Sequence, residues 1–335
     1  MTGMAFDQAF RIGMGETPVR FPTPLDRLIY LRTLPNLGGL AGNGLSYIAT
    51  QARERQFTTG ELLYRPEEPI DVVHFVVEGR VRVEQEGLHL LDALPTFTIG
   101  FLPVLAGSRI GQTATALEPT VTLEIVATDL LEIFEDDFGF LENGIRQLSR
   151  QLLEAQSELE VRGLLTRSEP EATPYPHERL DLVERLALIR KGPYADVNLE
   201  PLVQLVSQAE ELRVEPGTVL WEQGDPSTWG LHVAHGVIHC SNDERSFRMG
   251  PGSMLGYLDA NGQLPRAYRA VAETKVVLMK EPTETFFDVL EDNFTLAIGV
   301  LSFFSQGLLQ LTARVAKARQ DDQPSSERGL ESDPR

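Results

Sequence analysis

The chain has a single cysteine, Cys240, so no disulfide can form within it. Such sparse cysteine suits a reducing compartment, and a cytoplasmic location is the expectation. No run reaches the roughly 18 apolar residues of a membrane span. The first residues, MTGMAFDQAFRIGMGETPVR, lack a charged leader followed by an apolar stretch. A soluble protein with no membrane partner is therefore expected. Positive charge is scarce as well: 30 Lys and Arg stand against 49 Asp and Glu, a formal charge of −19. A surface of that sign repels a phosphate backbone unless the bases gather on one face, and the sequence shows no such gathering, so nucleic acid is not an expected partner. Catalytic signatures are missing too: there is no G-x-S-x-G elbow, no P-loop and no H-E-x-x-H. No enzymatic activity and no catalytic residue is expected.

What the sequence does contain is a repeat. Its 335 residues leave room for two domains. Gly60 recurs as Gly217, Glu68-Pro69 as Asp225-Pro226 and Gly79 as Gly236, all at one offset. Beyond that hairpin the offset shortens by one residue, so Gly100 answers to Gly256, and Glu135-Asp136-Asp137-Phe138 to Glu291-Asp292-Asn293-Phe294. Turn glycines aligned by accident would not keep this order and register.

Each copy has a short helical lead, then many short strands between Gly and Pro punctuation, then a long periodic helix. That plan predicts a mainly β fold with α: two tandem β-roll (jelly-roll) domains, each flanked by helices. The expected boundaries are a tail over 1–24, a first domain over 25–162, a Pro-rich acidic linker over 163–179, a second domain over 180–318 and a disordered polar tail over 319–335. Gly79 and Gly236 fall where a hairpin needs a positive φ, a purely structural role.

The closing helices share an apolar seam, Leu141, Ile145, Leu148, Leu152, Ala155 and Leu159 in one and Leu301, Phe304, Leu308, Leu311 and Val315 in the other. Such a seam fits three arrangements: packing on its own barrel, a homodimer through the long helices, or pairing of the two helices within one chain. Of the histidines in LHVAHGVIHC, His232 and His235 are an odd number of residues apart and point to opposite faces of a regular strand, which argues against a metal site. Cys240 beside them reads as a small buried hydrophobe. Glu135, Asp136 and Asp137 stand where a helix is about to begin, and there acids serve the helix dipole.

The order of helix, GELLYRPEEP or GTVLWEQGDP, a hairpin, the Gly100 or Gly256 turn, then TATALEP or RAYRAVAE and a long helix resembles the cyclic-nucleotide-binding domain. That fold occurs in the catabolite activator protein and, in tandem, in the regulatory subunit of cyclic-AMP-dependent protein kinase. In that family a turn beginning Gly-Glu, with Arg and a small residue about ten positions on, holds the cyclic phosphate on exposed backbone N–H groups, and Glu accepts from the ribose. By this resemblance the second copy keeps Gly256, Arg266 and Ala267 but has Tyr257 for Glu. The first keeps Gly100, has Phe101 for Glu, and carries Arg109 one position early. Loss of that carboxylate removes a charge-assisted bond worth roughly 1.5–3 kcal/mol, or about one to two decades of affinity. Cyclic nucleotide is thus disfavoured, and no other cofactor or metal is implied. No helix-turn-helix is expected after either long helix, since a second barrel follows the first and a short polar stretch the second. The family implies a regulatory or interaction protein with a protein partner; the alternative is a sensor of a cyclic nucleotide or other small anion, bound mainly in the second domain.

Overall fold

Strands here follow the alternation of their residues. In Val81–Gln85 the valines Val81 and Val83 are buried and Arg82 is half-buried, and in Gln112–Ala116 the buried positions are Gln112, Ala114 and Ala116. The computed structural model describes residues 20–322 apart from 35–36, 38–39, 41, 66–67, 108–111, 166, 168, 172–174, 191–193, 195–197 and 244.

The first half opens with α1 (Pro24–Leu31) and α2 (Gly42–Gln51). Strands β1 (Arg53–Phe57), β2 (Leu62–Tyr64), β3 (Val72–Glu78), β4 (Val81–Gln85), β5 (Leu88–Ala93) and β6 (Thr98–Ile99) follow. A short helix α3 (Phe101–Ala106) precedes β7 (Gln112–Ala116) and β8 (Thr120–Val126), and α4 (Ala127–Asp136) and α5 (Phe138–Val161) close the half.

The second half repeats this order: α6 (Leu182–Ile189), α7 (Leu199–Gln208), then β9 (Glu210–Val214), β10 (Val219–Trp221), β11 (Trp229–His235), β12 (Ile238–Ser241), β13 (Ser246–Met249) and β14 (Met254–Leu255). It ends with α8 (Tyr257–Asn261), β15 (Arg269–Ala272), β16 (Val276–Pro282), α9 (Thr283–Glu291) and α10 (Phe294–Asp322).

Each half forms two antiparallel sheets. The orders β1-β8-β3-β6 and β2-β7-β4-β5 in the first are matched by β9-β16-β11-β14 and β10-β15-β12-β13 in the second. Register matches too, with Val72 opposite Val126 in one half and Trp229 opposite Pro282 in the other. The repeat legible in the sequence is therefore a repeat of jelly-roll topology. Gly79 and Gly236 take φ of 88° and 85°, and a side chain at either would meet the backbone entering β8 or β16.

Local capping explains where helices start. Thr23 with Asp26, and Asp181 with Glu184, form capping boxes at α1 and α6. Of the three acids expected at a helix start, only Asp137 does that work, accepting from the Phe140 amide at the head of α5; Glu135 and Asp136 lie in the last turn of α4. At the other end, α10 runs past Ala318 to Asp322. The rest of the expected tail, 323–335, and most of the expected N-terminal tail lie outside the described residues.

The largest buried cluster spans both halves, where the helices pack on the outer faces of strands such as β3, β8 and β16. It joins Phe134 of α4 and Leu141 and Ile145 of α5 to Phe286 of α9 and Val300 and Leu301 of α10. The two seams pack on each other within the chain: Gly144 lies beside Leu301, Leu152 beside Gly307, and Glu158 pairs with Arg319. These contacts ascend together, so α5 and α10 run parallel, as in a coiled-coil dimer built from one chain. By length and composition α10 could also cross a membrane, a window the sequence reading missed. In this fold Leu301, Phe304, Leu308 and Val315 are buried instead.

Each long helix also reaches the other half's short helix. Arg150 Nε of α5 donates to the Gly262 carbonyl just past α8 at 2.7 Å, and Gln306 Nε2 of α10 donates to the Ala106 carbonyl at the end of α3 at 2.9 Å. Arg150 and Gln306 are equivalent in the repeat, as are Gly262 and Ala106, so the exchange is reciprocal. Because a lone carbonyl at a helix end needs a donor, the side chain arriving from the other half fixes each short helix in place.

Candidate functional site

The turn that opens α8 starts from Gly256, whose φ of 70° and closeness to the Arg266 guanidinium leave no room for a side chain. Arg266 is not on the surface. Its side chain is 0% exposed, its Nη1 donates to the Gly256 carbonyl at 2.9 Å, and its Nη2 donates to the Trp229 carbonyl at 2.6 Å. The guanidinium carbon lies 4.3 Å from the ring centre of Trp221 and 4.5 Å from that of Trp229. Planar guanidinium stacks well on indole, and two tryptophans so placed form a cage. The carboxylate of Asp259 stands 4.0 Å from Nη1; burial pushes its pKa up to about 6 against the pull of the Arg266 charge.

From this cage a stack runs outward through the barrel: Tyr268 against Trp221, Phe247 against Tyr268, and the Arg167 guanidinium over Phe247 at 3.8 Å. Arg167 and Arg245 both pair with Glu160 near the end of α5. The interior of the second barrel is thereby filled by its own side chains and by the connecting segment. Ala267 is half-buried, and its carbonyl accepts from Asn242 Nδ2 at 3.3 Å.

Tyr257, standing at the family's Glu position, is buried in contact with β11 and β16. Its hydroxyl donates to Glu281 Oε2 at 2.8 Å, its ring lies 5.0 Å from His232, and Gly230 gives it the space a side chain would take. His232 is thus packed against an aromatic ring, while His239 Nε2 lies 2.7 Å from Ser246 Oγ. Burial pushes the Cys240 thiol up to about 12.

The first barrel differs. Gly100 has a φ of 85°, and a Cβ there would lie 2.5 Å from the Val72 carbonyl. Beside it lies a cavity of about 450 Å³. Tyr64, Phe75, Val83 and Ile99 line its barrel side and Phe101 its edge, while Asn143, Gln147 and Gln151 of α5 and Leu309 and Thr312 of α10 form the opposite wall. No charged side chain is among the described residues that line it. The reason for the difference is volume: the positions of the caging Trp221 and Trp229 are held here by Tyr64 and Val72. Thr98 lines this cavity, but its Oγ1 is buried away from the open space with no hydrogen-bond partner, a defect that costs about 1–3 kcal/mol. Arg109 lies outside the described residues.

Arg266 and Gly256 are thus brought together, with Arg266 facing its own backbone, while Tyr257 turns to Glu281 and Ala267 to Asn242. The sequence reading missed the cavity, Thr98 and the wall that α10 supplies to the first barrel. A signal was available: both tryptophans of the chain are in the second copy.

Residues 54–137, from β1 to the start of α5, match the family model described as Cyclic nucleotide-binding domain. The fold is a tandem of such domains. Strand order carries that statement into the second half, whose sheets repeat those of the first. Similar solved structures include the regulatory subunit of a cAMP-independent protein kinase A from Trypanosoma brucei, 14% identical over 90% of this chain and 92% of that one, with a TM-score of 0.29. The regulatory domain of Toxoplasma gondii PKA, crystallised with cAMP, is 12% identical over 81% and 95%, with a TM-score of 0.31. A cyclic nucleotide-binding-like protein from Brucella abortus is 24% identical over 32% and 98%, with a TM-score of 0.30. No curated protein matches the sequence.

Proposed function

We propose that this chain is a non-enzymatic regulatory protein that acts through contacts its helices make with a protein partner, and that its second domain reads no cyclic nucleotide. One observation carries the reading: Arg266, the residue that would meet a cyclic phosphate, is bonded to two backbone carbonyls and caged by two indoles. An anion would have to break those bonds and enter space already filled. Arg266 thus serves as a structural strut, and the second barrel as a rigid support for α5.

Calorimetric titration of the full chain with cyclic AMP, cyclic GMP and cyclic dinucleotides tests this. No heat of binding is expected. A saturable heat that disappears in Arg266→Ala would establish the anion-sensor alternative instead.

A ligand-responsive version of the same function is favoured by the first barrel, where a cavity is bounded by both long helices. A molecule held there would touch the helix pair directly and bias its arrangement through differential affinity.

A further inference from the structure

The segment that connects the halves is tied to the second barrel chiefly through one side chain. Arg167 lays its guanidinium over the Phe247 ring of β13, with the central carbon 3.8 Å from the ring centre, and pairs with the Glu160 carboxylate near the end of α5. The Arg167 side chain is 27% exposed and that of Glu160 only 6%. A buried carboxylate beside an aromatic face is a socket for a guanidinium, because both attract the charge and the ring also accepts the plane. The neighbouring anchors are slighter: Glu169 meets Arg248 at 3.6 Å with both side chains exposed, a kind of pair worth little, and Pro170 packs against Gly250. Arg245, from the turn between β12 and β13, pairs with Glu160 as well. When Arg167 leaves, the carboxylate therefore keeps a partner and no bare charge stays buried. Phe247 belongs to the barrel and Glu160 to α5, so the socket is complete without its occupant.

We propose that Phe247 and Glu160 form a guanidinium socket that Arg167 fills within the chain, and that an arginine side chain of a protein partner takes it over when the connecting segment lifts. The resident arginine is tethered, at an effective concentration of roughly millimolar, so a partner displaces it only by bringing further contacts of its own. The formal charge of −19 draws a cationic partner toward the chain. Exchange frees the segment that ties the end of α5 to the second barrel, which passes the binding event to the helix pair. This deepens the regulatory reading by naming the partner's recognition group; the exchange rests on that reading, and the socket does not.

The probe is ethylguanidinium, the head of an arginine without its backbone, added to the full chain. Both tryptophans lie in the second half, so their emission follows its melting. Arg167→Ala should lower the melting temperature by a few degrees. About 20 mM ethylguanidinium should recover at least half of that loss, once its effect on the native chain is subtracted, because it binds the folded form. Ethylammonium, of equal charge but without the plane, should recover less than half as much. Adding Phe247→Leu or Glu160→Gln to Arg167→Ala should abolish the recovery. If the alanine chain is unfolded, regain of native emission with ethylguanidinium replaces the melting shift. No recovery, equal recovery by the two cations, or recovery unmoved by Phe247→Leu and Glu160→Gln overturns the socket. Release is read with trypsin, which takes an arginine side chain into its own pocket and so cuts after Arg167 only once Arg167 has left Phe247. In the native full chain that cut, identified by fragment mass, should run at least tenfold faster than global unfolding, and Phe247→Leu should speed it further. A cut that appears only at the rate of global unfolding overturns the exchange while the socket stands. The nucleotide titration that tests the regulatory reading is independent of both results.

Discussion

Arg266 donates through Nη1 to the carbonyl oxygen of Gly256 at 2.9 Å, so the glycine that opens the short helix and the arginine ten residues later hold each other in place. Removing the guanidinium takes this donor from the Trp229 carbonyl and one of two donors from the Gly256 carbonyl, which also accepts from the Ala260 amide, and leaves a hole between two indoles. Arg266→Ala should therefore lower stability by about 3 kcal/mol or more. Arg266→Lys should recover less than half, because an ammonium lacks the spread, planar fork of donors and does not stack as a plane between the indoles. Urea unfolding followed by tryptophan emission checks both, since Trp221 and Trp229 flank the arginine.

Three glycines with the same backbone hand should respond differently to alanine. Gly217 has a φ of 84° with open space around it, so Gly217→Ala pays only the left-handed penalty, about 1 kcal/mol. Gly100 and Gly256 meet a backbone carbonyl and a guanidinium as well. Gly100→Ala and Gly256→Ala should each cost at least about 2 kcal/mol more than Gly217→Ala. Equal losses at all three would mean that the close approaches are absent.

His74 is buried beside Thr122 in the first barrel, and burial pushes it from an ordinary 6.5 down to about 4. The unfolded chain therefore takes up this proton first as pH falls. The stability it contributes is complete above pH 6.5 and is lost as pH drops toward about 4, an effect of up to roughly 3 kcal/mol. Replacing the imidazole in His74→Gln should flatten the stability profile in that window relative to the native chain, while carboxylates common to both cancel. Matched urea titrations across pH 4 to 7 provide the check.

Cys240 should resist thiol reagents in the native state. It is fully buried and its pKa is pushed up to about 12, so neither access nor thiolate is available. Reaction with a disulfide reagent is expected only on unfolding, at the rate of global opening. Rapid labelling of the folded protein would contradict the packing of β12.

The duplication was legible because turns demand glycine: Gly79 and Gly236, or Gly100 and Gly256, keep their places for backbone reasons that no other residue meets. The partner of the helical seam was not legible, since Leu148 and Leu308 show the same periodicity whether they meet a barrel, another chain or each other. Nor was the fate of Arg266, which depends on Trp221 and Trp229, far away in sequence and brought near only by the barrel. The reciprocal bonds of Arg150 and Gln306 stayed hidden because equivalent positions carry different side chains that do the same job.

Tryptophan emission during titration with cyclic AMP and cyclic GMP bears most directly on the caged arginine, because a nucleotide entering the second barrel must draw Arg266 from between the chain's two indoles. The spectrum should stay unchanged up to millimolar nucleotide. A saturable shift or quench, lost in Arg266→Ala, would show that the cradle opens to its ligand.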